Sequence, residues 1–241
     1  MSLSRREFIG IGGAALAGMA LAPGLRLVEL ARARSPEEAA SRLQRWGLLV
    51  DIGKCHDCNA CVTACHEENG VISHGRPATD AQWIRKVELK DKLTGYVETL
   101  PVMCQHCAEP PCVDVCPTGA SFKRIDGIVL VDKHICIGCR YCMMACPYKA
   151  RSFVHEETTN QKAYAPRGKG TVESCTLCVH RVDAGRIPAC VEACTKDGNK
   201  AMVFGDIKDP NSEINKQLAS APTTQLRPDL NLNTGVRYRG I

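Results

Sequence analysis

The sequence predicts an α+β fold in which short hairpins and short helices are organised around metal-binding loops. Three observations predict it. All sixteen cysteines of the 241-residue chain fall into four groups of four: Cys55, Cys58, Cys61, Cys65; Cys104, Cys107, Cys112, Cys116; Cys136, Cys139, Cys142, Cys146; and Cys175, Cys178, Cys190, Cys194. Between the groups lie short strand-like runs punctuated by turn residues. Aromatic residues make up only 5% of the chain, so the hydrophobic core is modest and the cysteine loops are expected to fill much of the interior.

Taken in order, the chain begins with Ser4-Arg5-Arg6-Glu7-Phe8-Ile9-Gly10 ahead of a weakly apolar stretch from Ile9 to Ala22, rich in glycine and alanine. This has the form of a twin-arginine export signal, with cleavage expected near Ala33. The apolar run is too short and too glycine-rich for the roughly 20 uninterrupted residues of a spanning helix. Residues 1–33 are therefore read as signal, 34–206 as the cysteine-bearing domain and 207–241 as an extended C-terminal arm. A polar helical linker around Ser35 to Arg45 leads to a strand at Trp46 to Asp51. Gln82 to Leu89 and Tyr96 to Val102 read as two strands around a turn at Lys92 to Gly95, and Ser121 to Arg124 with Ile128 to Val131 as a hairpin around Asp126-Gly127. The x3-C segments ending at Cys65, Cys116, Cys146 and Cys194 are expected to start short helices. Beyond Asp206 the sequence is rich in Asn, Pro, Thr and Leu, and reads either as a disordered tail or as a strap across a partner.

The first and third cysteine groups read C-x2-C-x2-C-x3-C, a spacing that holds cubane iron–sulfur clusters because three close thiolates on a tight loop reach three corners of one cluster. The other two groups keep the opening C-x2-C and the closing C-x3-C and stretch the middle spacer. Zinc sites bring together two C-x2-C knuckles or add histidines, and a third cysteine at x2 followed by a fourth at x3 is not their pattern. Eight disulfides would suit an exported chain. A disulfide framework, however, has no reason to repeat one spacing, and cysteines three apart are poorly disposed to bridge each other. Four thiolates per cluster make four [4Fe–4S] clusters, the composition of a wire for electrons.

Charge supports that reading once the clusters are counted. The formal net charge is +5; cleavage after Ala33 would remove four of the 31 Lys+Arg and two of the 26 Asp+Glu, leaving 27 against 24, or +3. Four oxidised clusters with their thiolates, at about −2 each, bring the loaded chain to about −5. No continuous basic stripe is present, so nucleic acid is excluded as a partner. Lys54, Lys133, Arg140, Lys149 and Arg151, close to the motifs, are read as offsetting cluster charge or facing solvent.

The run Cys136-Ile-Gly-Cys139-Arg-Tyr-Cys142-Met-Met-Ala-Cys146-Pro147, preceded by Cys112-Val-Asp-Val-Cys116-Pro117-Thr-Gly-Ala120, resembles the four-cluster electron-transfer subunits of molybdopterin oxidoreductases and related respiratory complexes. Pro188-Ala-Cys190-Val-Glu-Ala-Cys194 and Cys175-Thr-Leu-Cys178, with Arg181 and Gly185, extend the likeness over about Trp46 to Asp206. The resemblance implies two interleaved bacterial-ferredoxin-like lobes. It also implies how ligands are shared: Cys55, Cys58 and Cys61 with Cys194; Cys175, Cys178 and Cys190 with Cys65; Cys104, Cys107 and Cys112 with Cys146; Cys136, Cys139 and Cys142 with Cys116. The sequence departs from the ferredoxin pattern after Cys65 and Cys194, where His66 and Thr195 stand in place of proline.

The same resemblance implies a hetero-oligomeric, periplasmic assembly. It is most similar to the iron–sulfur subunits that dock on a polytopic quinone-interacting membrane subunit with a multihaem cytochrome c, and next to the beta subunits that feed the molybdopterin catalytic subunit of polysulfide, tetrathionate or thiosulfate reductases, or to the corresponding subunit of formate-dependent nitrite reduction. His56, His66 and His106, in or beside the cysteine loops, are read as hydrogen-bond donors to cluster sulfur or as packing residues, and His180 as surface or packing. No Ser–His–Asp set, paired-carboxylate motif or glycine-rich nucleotide loop is present, so no catalytic residue is assigned.

Overall fold

A computed structural model describes residues 40–55, 58–159 and 161–241. The expected export signal, its cleavage site near Ala33 and His56 lie outside these residues. The described end of the expected helical linker, residues 40–45, is a turn and not a helix.

In chain order the elements are β1 (Trp46–Asp51), α1 (Ala60–Asn69), β2 (Ile84–Lys90), β3 (Val97–Met103), α2 (Pro111–Asp114), β4 (Ser121–Lys123), β5 (Val129–Val131), α3 (Tyr141–Ala145), β6 (Ser152–Phe153), β7 (Val172–Glu173), α4 (Val179–Val182), α5 (Ala189–Lys196), β8 (Met202–Asp206), α6 (Glu213–Ser220) and β9 (Val236–Arg239). Strand β1 is the middle of a three-stranded sheet, antiparallel to β8 with Trp46 opposite Asp206 and parallel to β9 with Leu48 opposite Val236. A central strand covered on both faces buries consecutive side chains, and Leu48, Leu49 and Val50 are all buried. A 3-10 turn at Ile52–Lys54 then delivers the chain to Cys55.

The two expected hairpins form. Strands β2 and β3 pair from Ile84 opposite Met103 to Lys90 opposite Val97. Their turn is closed by Asp91, whose Oδ1 accepts from the Leu93 and Thr94 amides at 2.7 and 2.9 Å. Strands β4 and β5 pair around Asp126-Gly127 in a three-residue loop, in which the Gly127 amide donates to the Arg124 carbonyl at 3.0 Å and Gly127 takes the left-handed position at φ +90°.

The helices differ from expectation in where the cysteines fall. Cys61 and Cys65 both lie within α1, and Cys190 and Cys194 both within α5, while Cys116 and Cys146 come just after α2 and α3. The x3 spacing is one helical turn, so it is covered by a helix already begun before the third cysteine. Helices α2 and α3 stop at four and five residues because Pro117 and Pro147 follow, and a residue preceding proline is pushed to extended geometry. Cys146 has φ −73° and ψ 112°. With His66 and Thr195 in place of proline, α1 and α5 run on to ten and eight residues. Helix α1 packs on α5, and α2 packs on α3.

The segment after Asp206 is not an extended arm. Helix α6 starts on a Ser212 cap whose Oγ accepts from the Asn215 amide, and it buries Ile214. The chain end returns as β9 with Val236 and Tyr238 fully buried. The Tyr238 hydroxyl donates to the Pro101 carbonyl at 3.0 Å and accepts from Gln105 Nε2 at 3.1 Å. Alternation in Val-Arg-Tyr-Arg places two apolar side chains inward, enough to close the sheet edge and pin the segment.

Candidate metal centres

The C-x2-C loops share a backbone device. In each loop described throughout, the residue before the second cysteine is left-handed: His106 at φ 44°, Gly138 at φ +70° and Leu177 at φ 54°. Such a residue turns successive N–H groups to one side, forming a concavity that favours negative charge. Glycine adopts it freely, whereas His106 and Leu177 do so at roughly 1–2 kcal/mol each. Gly138 is also confined sterically, because a Cβ there would meet the Gly170 carbonyl oxygen at 2.1 Å.

No two of the sixteen cysteines are joined in a disulfide, and all but Cys58, Cys116, Cys136 and Cys139 are buried; Cys139 alone is exposed. Burial raises the thiol pKa values and neighbouring thiolates raise them further, which reveals who neighbours whom. Cys61 is pushed up to about 12 by burial, then by Cys55, Cys194 and Cys58. Burial holds Cys65 well above its ordinary value, reinforced by Cys175, Cys190 and Cys178. Cys104 and Cys107 are each pushed up to about 12, first by burial, with repulsion from Cys112 and Cys146 adding. Three sets of four thiols therefore gather across groups distant in sequence. Between sets, Cys190 feels Cys61, Cys175 feels Cys104 and Cys112 feels Cys142, each after the larger effect of burial.

Amide donors surround the sulfurs. Ser121 N donates to Cys116 Sγ at 3.3 Å, Leu177 N to Cys175 at 3.3 Å, Ala201 N to Cys194 at 3.2 Å and Val172 N to Cys136 at 3.5 Å. Burial alone would raise Cys116, yet donors from Ser121 and Thr118 bring it down to about 7. Arg151 Nη2 donates to Cys112 Sγ at 3.1 Å. Hydrogen bonds and positive charge at sulfur favour the thiolate. All four thiols of one set, Cys65, Cys175, Cys178 and Cys190, line an apolar cavity with Trp83 and Ile84. Among the described residues no three His, Cys, Asp or Glu side chains converge as a single ion requires. A tetrahedral zinc site would hold its sulfurs only about 3.8 Å apart. Buried thiols gathered in fours and furnished with N–H donors fit the ligands of a four-iron cluster.

The expected accessory residues divide. His106 is buried; its Nδ1 accepts from the Val129 amide at 3.0 Å, which leaves the proton on Nε2, and Nε2 has no protein partner. Burial and Arg151 hold its pKa down to about 3. His66 Nε2 is likewise buried without a protein partner. His180 instead clamps the helices: Nε2 lies 2.8 Å from Glu68 of α1, Arg181 bridges Glu68 at 3.0 Å to Glu192 of α5 at 2.6 Å, and Tyr164 stacks on the His180 ring. Lys54 pairs with Asp51 in solvent, and Arg140 sits 3.9 Å over the Phe153 ring. Lys149 is exposed. Lys133 is half-buried, donates to the Val172 carbonyl, and is held down to about 8 by desolvation. Sequence reading missed the buried Arg167–Glu173 pair at 2.7 Å and Asn69, whose Nδ2 donates to the Cys65 carbonyl at 2.8 Å. Their one signal was position: Glu173 stands two residues before Cys175 and Asn69 four after Cys65.

Comparison with known proteins agrees with this chemistry. A 4Fe-4S dicluster domain matches residues 95–207, and a second 4Fe-4S dicluster domain matches residues 54–120. The chain is 44% identical to the Hdr-like menaquinol oxidoreductase iron-sulfur subunit 1 of Archaeoglobus fulgidus, over 98% of this chain and 97% of that one. It is 38% identical to a subunit of the tetrathionate reductase of Salmonella typhimurium, over 100% and 90%, and 40% identical to protein NrfC of Escherichia coli, over 74% and 73%.

Proposed function

The chain belongs to the 4Fe-4S dicluster family of ferredoxin-like electron-transfer subunits of respiratory oxidoreductases, and from that membership we propose that its four [4Fe–4S] clusters form one linear relay between two partner proteins. Each cluster, when bound, supplies reversible one-electron chemistry. The assignment of ligands is Cys55, Cys58, Cys61 and Cys194 for the first; Cys65, Cys175, Cys178 and Cys190 for the second; Cys104, Cys107, Cys112 and Cys146 for the third; and Cys116, Cys136, Cys139 and Cys142 for the fourth. The first two make an outer ferredoxin-like lobe with α1 and α5, and the last two an inner lobe with α2 and α3.

The observation that carries this reading is the pattern of exposure along the thiol neighbours. Every cysteine of the second and third sets is buried, whereas the first set reaches the surface at Cys58 and the fourth at Cys116, Cys136 and Cys139. Electrostatic influence of Cys61 on Cys190, of Cys104 on Cys175 and of Cys142 on Cys112 strings the sets in the same order. Such an arrangement keeps water from the middle of the path and leaves both ends open to a partner. The residues themselves hold spacing, donate to sulfur and balance charge; none is placed to act on a substrate.

The partners we assign are a polytopic quinone-interacting membrane subunit and a multihaem cytochrome c, in a periplasmic complex reached through the Arg5-Arg6 export signal. A relative named for menaquinol oxidation that aligns over 98% of the chain supports the quinone link. Among the described residues no helix is long and apolar enough to cross a membrane. The second reading, a beta subunit feeding a molybdopterin reductase, is favoured by the tetrathionate reductase relative that aligns over the whole chain.

Purification with native membrane partners tests both. A polytopic membrane protein with a multihaem cytochrome supports the first, a molybdopterin subunit the second, and zinc in place of iron would sink both. The ligand assignment is tested by Cys65→Ser. It should perturb the electron paramagnetic resonance signal of the same cluster as Cys178→Ser; a match to Cys58→Ser instead would refute the sharing.

A further inference from the structure

Arg151 is 5% exposed, and its guanidinium joins two thiol sets. Nη2 donates to Cys112 Sγ at 3.1 Å, and Nη1 donates to Ser121 Oγ at 2.7 Å. The Ser121 amide in turn donates to Cys116 Sγ at 3.3 Å. One short chain of polar contacts thus runs from Cys112 of the third set, through Arg151 and Ser121, to Cys116 of the fourth. The same cation interacts with Cys104 and Cys142, one from each set. Its Nε is buried and has no protein partner.

The charge of Arg151 is not balanced by a carboxylate. Among the described residues no Asp or Glu forms an ion pair with it, whereas the other buried arginine, Arg167, is met by Glu173 at 2.7 Å. A buried unpaired cation costs several kcal/mol, and arginine does not relieve the cost by losing its proton. The countercharge must therefore come from the thiolates and whatever they hold.

We infer that Arg151 is a shared potential-setting residue, a fixed positive charge that raises the reduction potentials of the third and fourth clusters together. The inference rests on the four-cluster reading. Reduction of either cluster adds one electron, hence one negative charge, beside the guanidinium, and so the cation stabilises the reduced form of both. Because the guanidinium stays protonated, the effect does not vary with pH. The inner pair is then biased as a unit relative to the outer pair, whose thiols Arg151 does not touch.

The test is a redox titration of the full holoprotein, followed by electron paramagnetic resonance, with iron and sulfide counted on each sample. Arg151→Gln should keep full iron and sulfide and lower two of the four midpoint potentials, each by about tenfold in the reduction equilibrium, or about 59 mV for one electron. The other two should move far less. Arg151→Lys, which keeps the charge but not the two-way fork, should give a smaller shift in the same two clusters. No shift, a shift of one cluster alone, or an equal shift of all four overturns the inference. If Arg151→Gln does not load, the equally neutral Arg151→Met is titrated in its place: a lowering confined to two clusters supports the inference, and unchanged potentials overturn it. A wild-type chain without four irons per cysteine quartet would fail the four-cluster reading itself, before any variant is compared.

Discussion

Gly138→Ala is the substitution whose cost can be worked most directly from the structure. Gly138 stands between Cys136 and Cys139 at φ +70°, and a Cβ built there lies 2.1 Å from the Gly170 carbonyl oxygen and 3.2 Å from the Phe153 ring. Two penalties add. A non-glycine residue in the left-handed region costs roughly 1–2 kcal/mol. The overlap is with backbone, so the 168–171 turn must move by an ångström or more. That turn is pinned by the Gly170 amide on the Val154 carbonyl at 2.8 Å and by the Thr171 carbonyl accepting from Val154 at 3.0 Å. Overpacking of this kind costs about 1–3 kcal/mol more, for a total of about 2–5 kcal/mol. Gly170→Ala is the matched control: its φ is +82° but nothing lies within 4 Å of a Cβ there, so only the conformational penalty applies. Heating both variants while recording iron–sulfur absorbance should show Gly138→Ala losing cluster at a temperature several degrees below Gly170→Ala. Equal behaviour of the two would refute the steric half of the reasoning and with it the close approach of the two loops.

Other outcomes are expected on the same physical grounds. Tyr238→Phe removes a hydroxyl bonded to Pro101 and Gln105 and should cost about 1–2 kcal/mol in urea unfolding; Tyr238→Ala, which empties a fully buried site, should cost about 3–5 kcal/mol. Truncation after Asp206 removes β9 and α6 and should abolish iron loading, whereas a loaded truncated chain would show the sheet to be dispensable. Partial burial raises the Glu68 pKa, but hydrogen bonds from His180 and Arg181 outweigh it and lower the net value. Its contribution is therefore present above the ordinary carboxylate value of 4.5 and is lost as pH falls through the lowered native value. Glu68→Gln should reduce thermal stability modestly at pH 7 and flatten the acid limb; an unchanged acid limb argues against the clamp. Stripping iron with a chelator should leave a proteolytically soft chain without cooperative unfolding, because the thiol sets form much of the core.

What the sequence made legible was local. Strand β1 and the two hairpins follow from period-two patterns and turn residues within a few positions of each other, and the cysteine spacing announces its chemistry without any tertiary information. What escaped was pairing at a distance. Strand β9 offers only Val236 and Tyr238 as an inward face, too short a signal among Asn, Pro and Thr to distinguish from a tail until β1 is seen beside it. Helix limits escaped for a different reason: they depend on whether proline follows the fourth cysteine, and the same x3 spacing yields helices of four, five, eight and ten residues. The buried Arg167–Glu173 pair escaped, and Arg151 was legible only as either offsetting cluster charge or facing solvent, because nothing in a sequence distinguishes a buried arginine from a solvated one; burial and the partner decide it.

The helices also explain how a chain with so little apolar core fixes distances between redox centres. Cys61 and Cys65 lie four residues apart on α1, and Cys190 and Cys194 four apart on α5. Four residues of helix rise about 6 Å, with both side chains on one face. Under the ligand assignment proposed above, the two cysteines of each helix belong to different clusters, and α1 and α5 bridge the same two clusters in opposite order. A pair of packed helices is then a rigid strut that sets one intercluster distance, locked further by the Glu68–Arg181–Glu192 clamp. In the inner pair α2 and α3 carry one cysteine each, Cys112 and Cys142, the x3 spacer leads to Cys116 and Cys146 just beyond the helix ends, and Arg151 stands in place of the clamp. Among the described residues no helix carries cysteines from both the second and third sets, and Cys175 feels the charge of Cys104 across them. That step is held by the packed core alone, in which Met103 and Val172 take part. Covalent spacing thus fixes two of the three transfers, and side-chain packing must fix the third.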